Sequence, residues 1–402
     1  MLVKTIQALL GAMAISCVAS AQAVPELAVS AQSAVIIDAQ SGKLLWSKDP
    51  NTPRYPASTT KIMTAMLLLE RCTPDEVITA PAEVETVPGA SLHLKAGEQL
   101  TASEMLYGIL LRSANDGCVA VADHISGSVK AFAQLMNDRA RQLGCTNTHF
   151  DNPNGLNDDQ HTISAYDLAI VAREAMKYPA FRAVVSIRRH ELKRSINTQD
   201  RFLVSKNKYL SMDPTADGIK TGWTKDAGQC YVGSATRNGY RVITVVLHSD
   251  KWKEDHASML NWAYANFDRT LVAKAGDTLA EISLNGGSDQ TVPATIAEDV
   301  YQVFDKQHPV KAEIAAEPAA HLQAPIQSGQ QVGVLVLSDA DGWVERVPLV
   351  ATRPVPASSL MGMSHAGAFF FVGVVGSGAF ILVKRRVRRF ARYGRTLRRK
   401  QA

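Results

Sequence analysis

Cysteine is scarce in this chain: five occur in 402 residues, none in a C-x-x-C pair, so spacing indicates neither a zinc site nor a redox dithiol. No two histidines stand at the H-E-x-x-H interval of a zinc peptidase, and no metal or other cofactor is expected. Aromatic residues are few at 6%, yet 46% of the chain is hydrophobic, which leaves ample material for a core. Charge is missing from one long stretch, for the thirty residues between Arg353 and Lys384 contain no Lys, Arg, Asp or Glu. No internal repeat organises the chain, and its length exceeds one average domain.

The uncharged stretch is densest from Ala366 to Val383, and extended back to Met361 it is long enough to span a bilayer. Behind it, residues 384–402 hold ten of the 43 Lys and Arg and no acid, the flank of a cytoplasmic side. The other end has secretory form: Lys4, an apolar run from Ile6 to Val18, then Ala21-Gln22-Ala23 as a cleavage site, so residues 1–23 read as a signal peptide. The expected protein is therefore a single-pass membrane protein with an extracytoplasmic body and a short cytoplasmic tail. The formal charge of +5 belongs to that tail, since residues 1–383 carry 33 basic against 38 acidic residues. Membrane lipid, not nucleic acid, is the partner this placement predicts. Signal removal leaves Cys72, Cys118, Cys145 and Cys230, and although export permits disulfides, no pairing follows from the sequence.

Between the ends the pattern is mixed. Residues 34–38 and 44–47 read as a hairpin, and helices are expected over 117–125, 129–143 and 164–176, the last with Ser164 and Asp167 as a capping box. Strand character returns at 229–235 and 240–247. Strands at both ends with helices between them predict one α/β domain over 24–265, a mixed sheet flanked by helices. A small β-rich domain over 266–352, a Pro-containing linker over 353–360, the span at 361–383 and the tail complete the plan.

Ser58-Thr59-Thr60-Lys61 leads into the uncharged run 62–69. Residues i and i+3 on a helix are surface neighbours, which brings a hydroxyl nucleophile to an amine. Lysine accepts a proton only when neutral, and a helix apolar all round belongs in a core, where desolvation lowers an ammonium pKa. The plain alternative is an N-cap serine. A second S-x-x-K, Ser205-Lys206-Asn207-Lys208, opens no apolar run and reads as a polar loop.

Two further motifs follow in order: Ser113-Ala114-Asn115 at a helix start, 55 residues after Ser58, and Lys220-Thr221-Gly222 before a strand, 107 residues later. S-x-x-K, S-x-N and K-T-G together resemble the motif set of penicillin-binding proteins and class A β-lactamases. Pro56-Ala57-Ser58-Thr59-Thr60-Lys61, the stretch His149 to Leu156, and Asp217 to Thr224 most resemble the low-molecular-weight D-alanyl-D-alanine carboxypeptidases of bacterial cell-wall metabolism. That resemblance implies a β-lactamase/transpeptidase-like fold and a peptidoglycan stem peptide as substrate. Ser58 would be the acylated nucleophile, Lys61 its base and Ser113 a proton relay. Lys220 would be the second cation that keeps Lys61 neutral, and Asn115 would hold the peptide amide. Ser58 and Trp223 N–H groups would form the oxyanion hole, Thr221 would help bind the terminal carboxylate, and Gly222 would belong to the substrate site. β-Lactam antibiotics would be covalent inhibitors.

Three departures mark this chain. Ser-Ala-Asn replaces Ser-Asp-Asn, Lys251-Trp252-Lys253 stands where the family often has an arginine, and the tail reads as fully spanning instead of as a surface helix. A β-lactamase is the rival enzyme, but only Glu174 and Glu191 lie between Asn115 and Lys220, neither in an E-x-x-x-N setting. A penicillin sensor that acylates without turnover is the rival of another class, although the tail is too short for a signalling domain.

Overall fold

A computed structural model describes residues 27–340 and 342–358. Its first half is built on a five-stranded antiparallel sheet of β1 (Ser33–Asp38), β2 (Leu44–Lys48), β3 (Ala216–Thr224), β4 (Gly228–Arg237) and β5 (Tyr240–Ser249), in the order β2-β1-β5-β4-β3. β1 is buried along its whole length, because successive side chains face opposite layers: Val35 and Ile37 join the helical core, while Ala34 and Ile36 join the core on the far side. The helical core contains α1 (Lys61–Arg71), α2 (Asn115–Ser126), α3 (Val129–Gln142) and α4 (Ala165–Ala175); α5 (Trp252–Asn266) covers the opposite face. This is the α/β domain the strand and helix pattern predicts.

α1 is buried from Lys61 through Leu68, as its uncharged run requires. α4 starts where Ser164 accepts the N–H of Asp167 at 3.1 Å, a side-chain cap. After α5 the chain passes directly into the strand Phe267–Ala273, and a second five-stranded antiparallel sheet, with strands from Ala280–Ser283 to Val344–Ala351, encloses a separate core of Val292, Val332, Leu335, Leu337 and Leu349. This is the expected C-terminal β-rich domain. The reading of 353–360 as a free linker fails over its described part. Val355 is buried in that core and exchanges two 2.9 Å backbone hydrogen bonds with Ile326, so the hydrophobic residue between Pro354 and Pro356 ties the segment down.

The expected signal peptide, span and basic tail lie outside the described residues; within them no helix is long and apolar enough to cross a membrane. All four described cysteines are free thiols.

One buried carboxylate fixes the segment that faces the sheet edge across the functional cleft. Asp116, in the first turn of α2, accepts the N–H groups of Leu92 and Leu94 at 3.0 Å and the Ser91 hydroxyl at 2.7 Å. The neighbouring Asn115 donates its N–H to Ala90 O and its side-chain amide to Pro88 O, each at 2.7 Å. Asp116→Ala leaves two buried N–H donors without a partner, each worth about 1–3 kcal/mol. The unfolding free energy in urea should fall by at least about 2 kcal/mol; an unchanged midpoint and slope refute this role.

Candidate active site

Ser58 sits in a single 3-10 turn, Ala57–Thr60, that runs into α1. Its neighbours Ala57, Thr59 and Thr60 are buried, so it alone of the four residues reaches the cleft. Neither this turn nor α1 has a side-chain cap hydrogen bond, which removes the N-cap reading of Ser58. The Ser58 Oγ instead lies 3.0 Å from Lys61 Nζ.

Lys61 is fully buried. Its Nζ donates to Asn115 Oδ1 at 2.7 Å and to the Asn154 carbonyl at 2.5 Å. A neutral amine has two N–H bonds and one lone pair, so with two acceptors occupied the lone pair is left for the Ser58 hydroxyl. Burial pushes the Lys61 ammonium down to about 8, helped by the charge of Lys206 and opposed by that of Asp116.

Lys220, also buried, lies on β3 at the sheet edge and donates to Ser113 Oγ at 3.0 Å and to Thr221 O at 2.9 Å. Its ammonium is held well below the usual lysine range by burial first and then by the Lys61 and Lys206 charges. Ser113 meets Lys220 because it closes the turn Gly108–Arg112 in the left-handed region, at φ 64°. A non-glycine residue pays about 1–2 kcal/mol for that conformation, and here it aims the hydroxyl into the site.

Gly222 explains the third residue of the K-T-G motif. A Cβ there would stand 3.0 Å from Pro56 O and from the backbone nitrogens of Ser58 and Thr59, so a side chain would push the edge strand away from the Ser58 turn by a few tenths of an ångström. Gly155 makes a tighter approach: its φ is +82° and a Cβ would fall 1.9 Å from Ala57 O.

Ser58, Ser113, Asn115, Thr221, Gly222 and Trp223 line one cleft of about 580 Å³, with Lys61 and Lys220 beneath. All eight residues singled out by sequence thus converge, and Trp223 stands exposed on the outer wall. Sequence reasoning missed several others. Asn154 supplies the carbonyl that fixes Lys61, held in a turn where Asn152 Oδ1 accepts the Gly155 N–H at 2.8 Å. His161, which burial pushes down to about 4, is neutral; its Nδ1 accepts from Asp151 N at 3.0 Å and its Nε2 donates to Thr60 Oγ1 at 2.9 Å, tying this turn to the start of α1. The loop read as merely polar brings Lys206 and Lys208 to the cleft, and the segment at 251–253 contributes Trp252 and Lys253. Among the described residues, none of those lining the cleft is acidic. Glu174 is 2.6 Å from Lys177 and 3.2 Å from Arg139, and Glu191 pairs with Arg201, both outside the cleft.

Residues 18–251 match the family described as D-alanyl-D-alanine carboxypeptidase, and residues 267–357 match the C-terminal domain of penicillin-binding protein 5. Among characterised relatives, D-alanyl-D-alanine carboxypeptidase DacF of Bacillus subtilis (strain 168) is 35% identical over 359 residues, covering 86% of this chain and 89% of its own. DacD of Escherichia coli (strain K12) is 30% identical over 349 residues, covering 83% and 88%. Penicillin-binding protein 5 of Haemophilus influenzae superposes with a TM-score of 0.65 at 27% identity over 83% of this chain and 99% of that one.

The Lys61 environment sets a pH signature. An ammonium lowered to about 8 loses its proton as pH rises through that value, so the rate of penicillin acylation should climb from pH 6, about a hundredfold below its maximum, to a plateau above pH 8. Rapid-mixing measurements with a labelled penicillin decide this; a rate constant flat from pH 6 to 9 excludes Lys61 as the base.

Proposed function

Because this chain belongs to the D-alanyl-D-alanine carboxypeptidase family, a group of penicillin-binding serine peptidases, we propose that its hydrolysis of cell-wall peptides runs through an acyl-enzyme on Ser58 with Lys61 as base. The observation that carries this is the Lys61 amine, 3.0 Å from Ser58 Oγ with its two N–H bonds committed to Asn115 and Asn154.

The Ser58 hydroxyl gives its proton to Lys61 Nζ as Oγ bonds to the carbonyl carbon between the last two D-alanines. Negative charge develops on the carbonyl oxygen, and the backbone N–H groups of Ser58 and Trp223 receive it. The C–N bond then breaks as the departing amine takes a proton through Ser113, which Lys220 holds in place. Water adds to the ester, the shortened peptide leaves, and Ser58 regains its proton. Asn115 has a second part, donating to or accepting from the peptide amide. The terminal carboxylate meets Thr221 and Gly222 and the positive wall of Lys206, Lys208 and Lys253, and its arrival favours the protonated form of Lys220.

The absence of an acidic group from the cleft lining favours a peptidase over a β-lactamase, since the penicilloyl ester has no carboxylate to activate a deacylating water. β-Lactams then act as long-lived covalent inhibitors. Residues 361–383 place the domain on the outer face of the membrane, with the basic tail on lipid head groups. Truncation after Ser358 should release the active protein from the membrane fraction; a truncated form that still sediments with membranes removes the span from this account.

Full-length protein should free D-alanine from a pentapeptide ending in D-Ala-D-Ala and capture labelled penicillin, and Ser58→Ala should lose both. Label still captured by Ser58→Ala moves the nucleophile elsewhere. Capture with rapid penicillin turnover identifies a β-lactamase, and capture without D-alanine release a sensor.

A further inference from the structure

Cys72, Glu76 and His124 offer a thiol sulfur, a carboxylate oxygen and an imidazole nitrogen within 4.8 Å of one another, far from any motif of the serine peptidase. From this constellation we propose a zinc-binding site that joins the distal ends of the two helices whose near ends carry Lys61 and Asn115.

The donor set suits a borderline-soft cation. Thiolate, imidazole and carboxylate are the three side-chain ligands of zinc, and one thiolate with one carboxylate balances its double charge. Tetrahedral ligands about 2.0–2.3 Å from an ion are about 3.3–3.8 Å apart, so side-chain rotation alone closes the observed set. The Glu76 Oε1 already meets His124 Nε2 at 2.8 Å, which is where the ion would replace a shared proton. Beside the three ligands opens a cavity of about 400 Å³ that admits a water as fourth ligand. Among the described residues, Arg71 is the one Lys or Arg on its lining, and it stands exposed at the rim.

The ligands are held by structure that exists without the ion. Cys72 ends α1, its N–H bonded to Leu68 O at 3.0 Å, and His124 lies in the last turn of α2. Glu76 closes a turn in which its Oε2 accepts the Thr73 N–H at 3.1 Å, and the turn is pinned from behind by Ala102 N–H on Glu76 O and Ser103 N–H on Pro74 O. α1 and α2 have 11 and 12 residues, so the site lies about 17 Å from the nucleophile and cannot act on substrate. Its effect is on the relative position of two helices that between them deliver Lys61 and its acceptor Asn115.

The test uses full-length, reduced protein. Cobalt(II) in place of zinc should bind one equivalent and give a thiolate-to-metal charge-transfer band, and zinc should raise the melting temperature. Cys72→Ser should abolish the band, and His124→Ala and Glu76→Gln should each weaken zinc binding about 100-fold while penicillin capture stays intact. A charge-transfer band that survives Cys72→Ser, or zinc affinity unchanged in all three variants, overturns the proposal. So does the absence of a stoichiometric complex in the parent. Should one variant fail to capture penicillin, the other two decide.

Discussion

Two lysines kept out of water are the constraint on which the rest of this active site depends. A lysine amine at the surface is protonated and useless as a base, and removing it from water is costly. With its pKa near 8, buried Lys61 costs the native state about 3 kcal/mol wherever it is charged, a penalty present below pH 8 and relieved as pH rises toward the unfolded value of 10.5. The fold sustains this by surrounding the amine with α1 and α2 and by giving its protons specific carbonyl partners. Ser113 in a left-handed conformation and Gly222 against the nucleophile turn serve the same arrangement. Ser113 meets the Lys220 amine, and Gly222 lies against the turn that holds Ser58 beside Lys61.

The close approaches make the site a joint between two layers. Gly222 belongs to the sheet edge and Ser58 to the helical layer, and a side chain at the glycine would crowd the backbone of the Ser58 turn. The Asn152–Leu156 turn and His161 brace the same junction from the other side. The positive wall follows a different logic. Lys206, Lys208 and Lys253 line the cleft without belonging to its buried centre, where Lys61 and Lys220 lie.

Much of this was legible in the chain because the chemistry uses short motifs on regular elements. The run 62–69 revealed a buried helix, and S-x-x-K, S-x-N and K-T-G named the residues that converge on the cleft. The remainder is carried by contacts between distant segments. His161 reaches Thr60 across 101 residues, and the ends of helices do not reveal what faces them. Lys206 looked like part of a loop because its role depends on where the loop lands. The same limit applies to Cys72 and His124: a C-x-x-C rule inspects neighbours in sequence, and these residues meet only through helix packing. Pro354 and Pro356 misled for a related reason, since proline marks an irregular backbone but not whether the residue between them is buried.

The order of strands in the sheet also bears on biogenesis. β5, the last peptidase strand to be synthesised, lies at the centre between β1 and β4. A nascent chain that stops before Tyr240 already holds Ser58, Lys61, Ser113 and Lys220, yet β1 has nothing to join it to the edge that carries Lys220. The sheet that links the helical layer to the Lys220 edge is therefore complete only once about three-fifths of the chain has been made. A shorter polypeptide carries these side chains without the strand that brings their layers together.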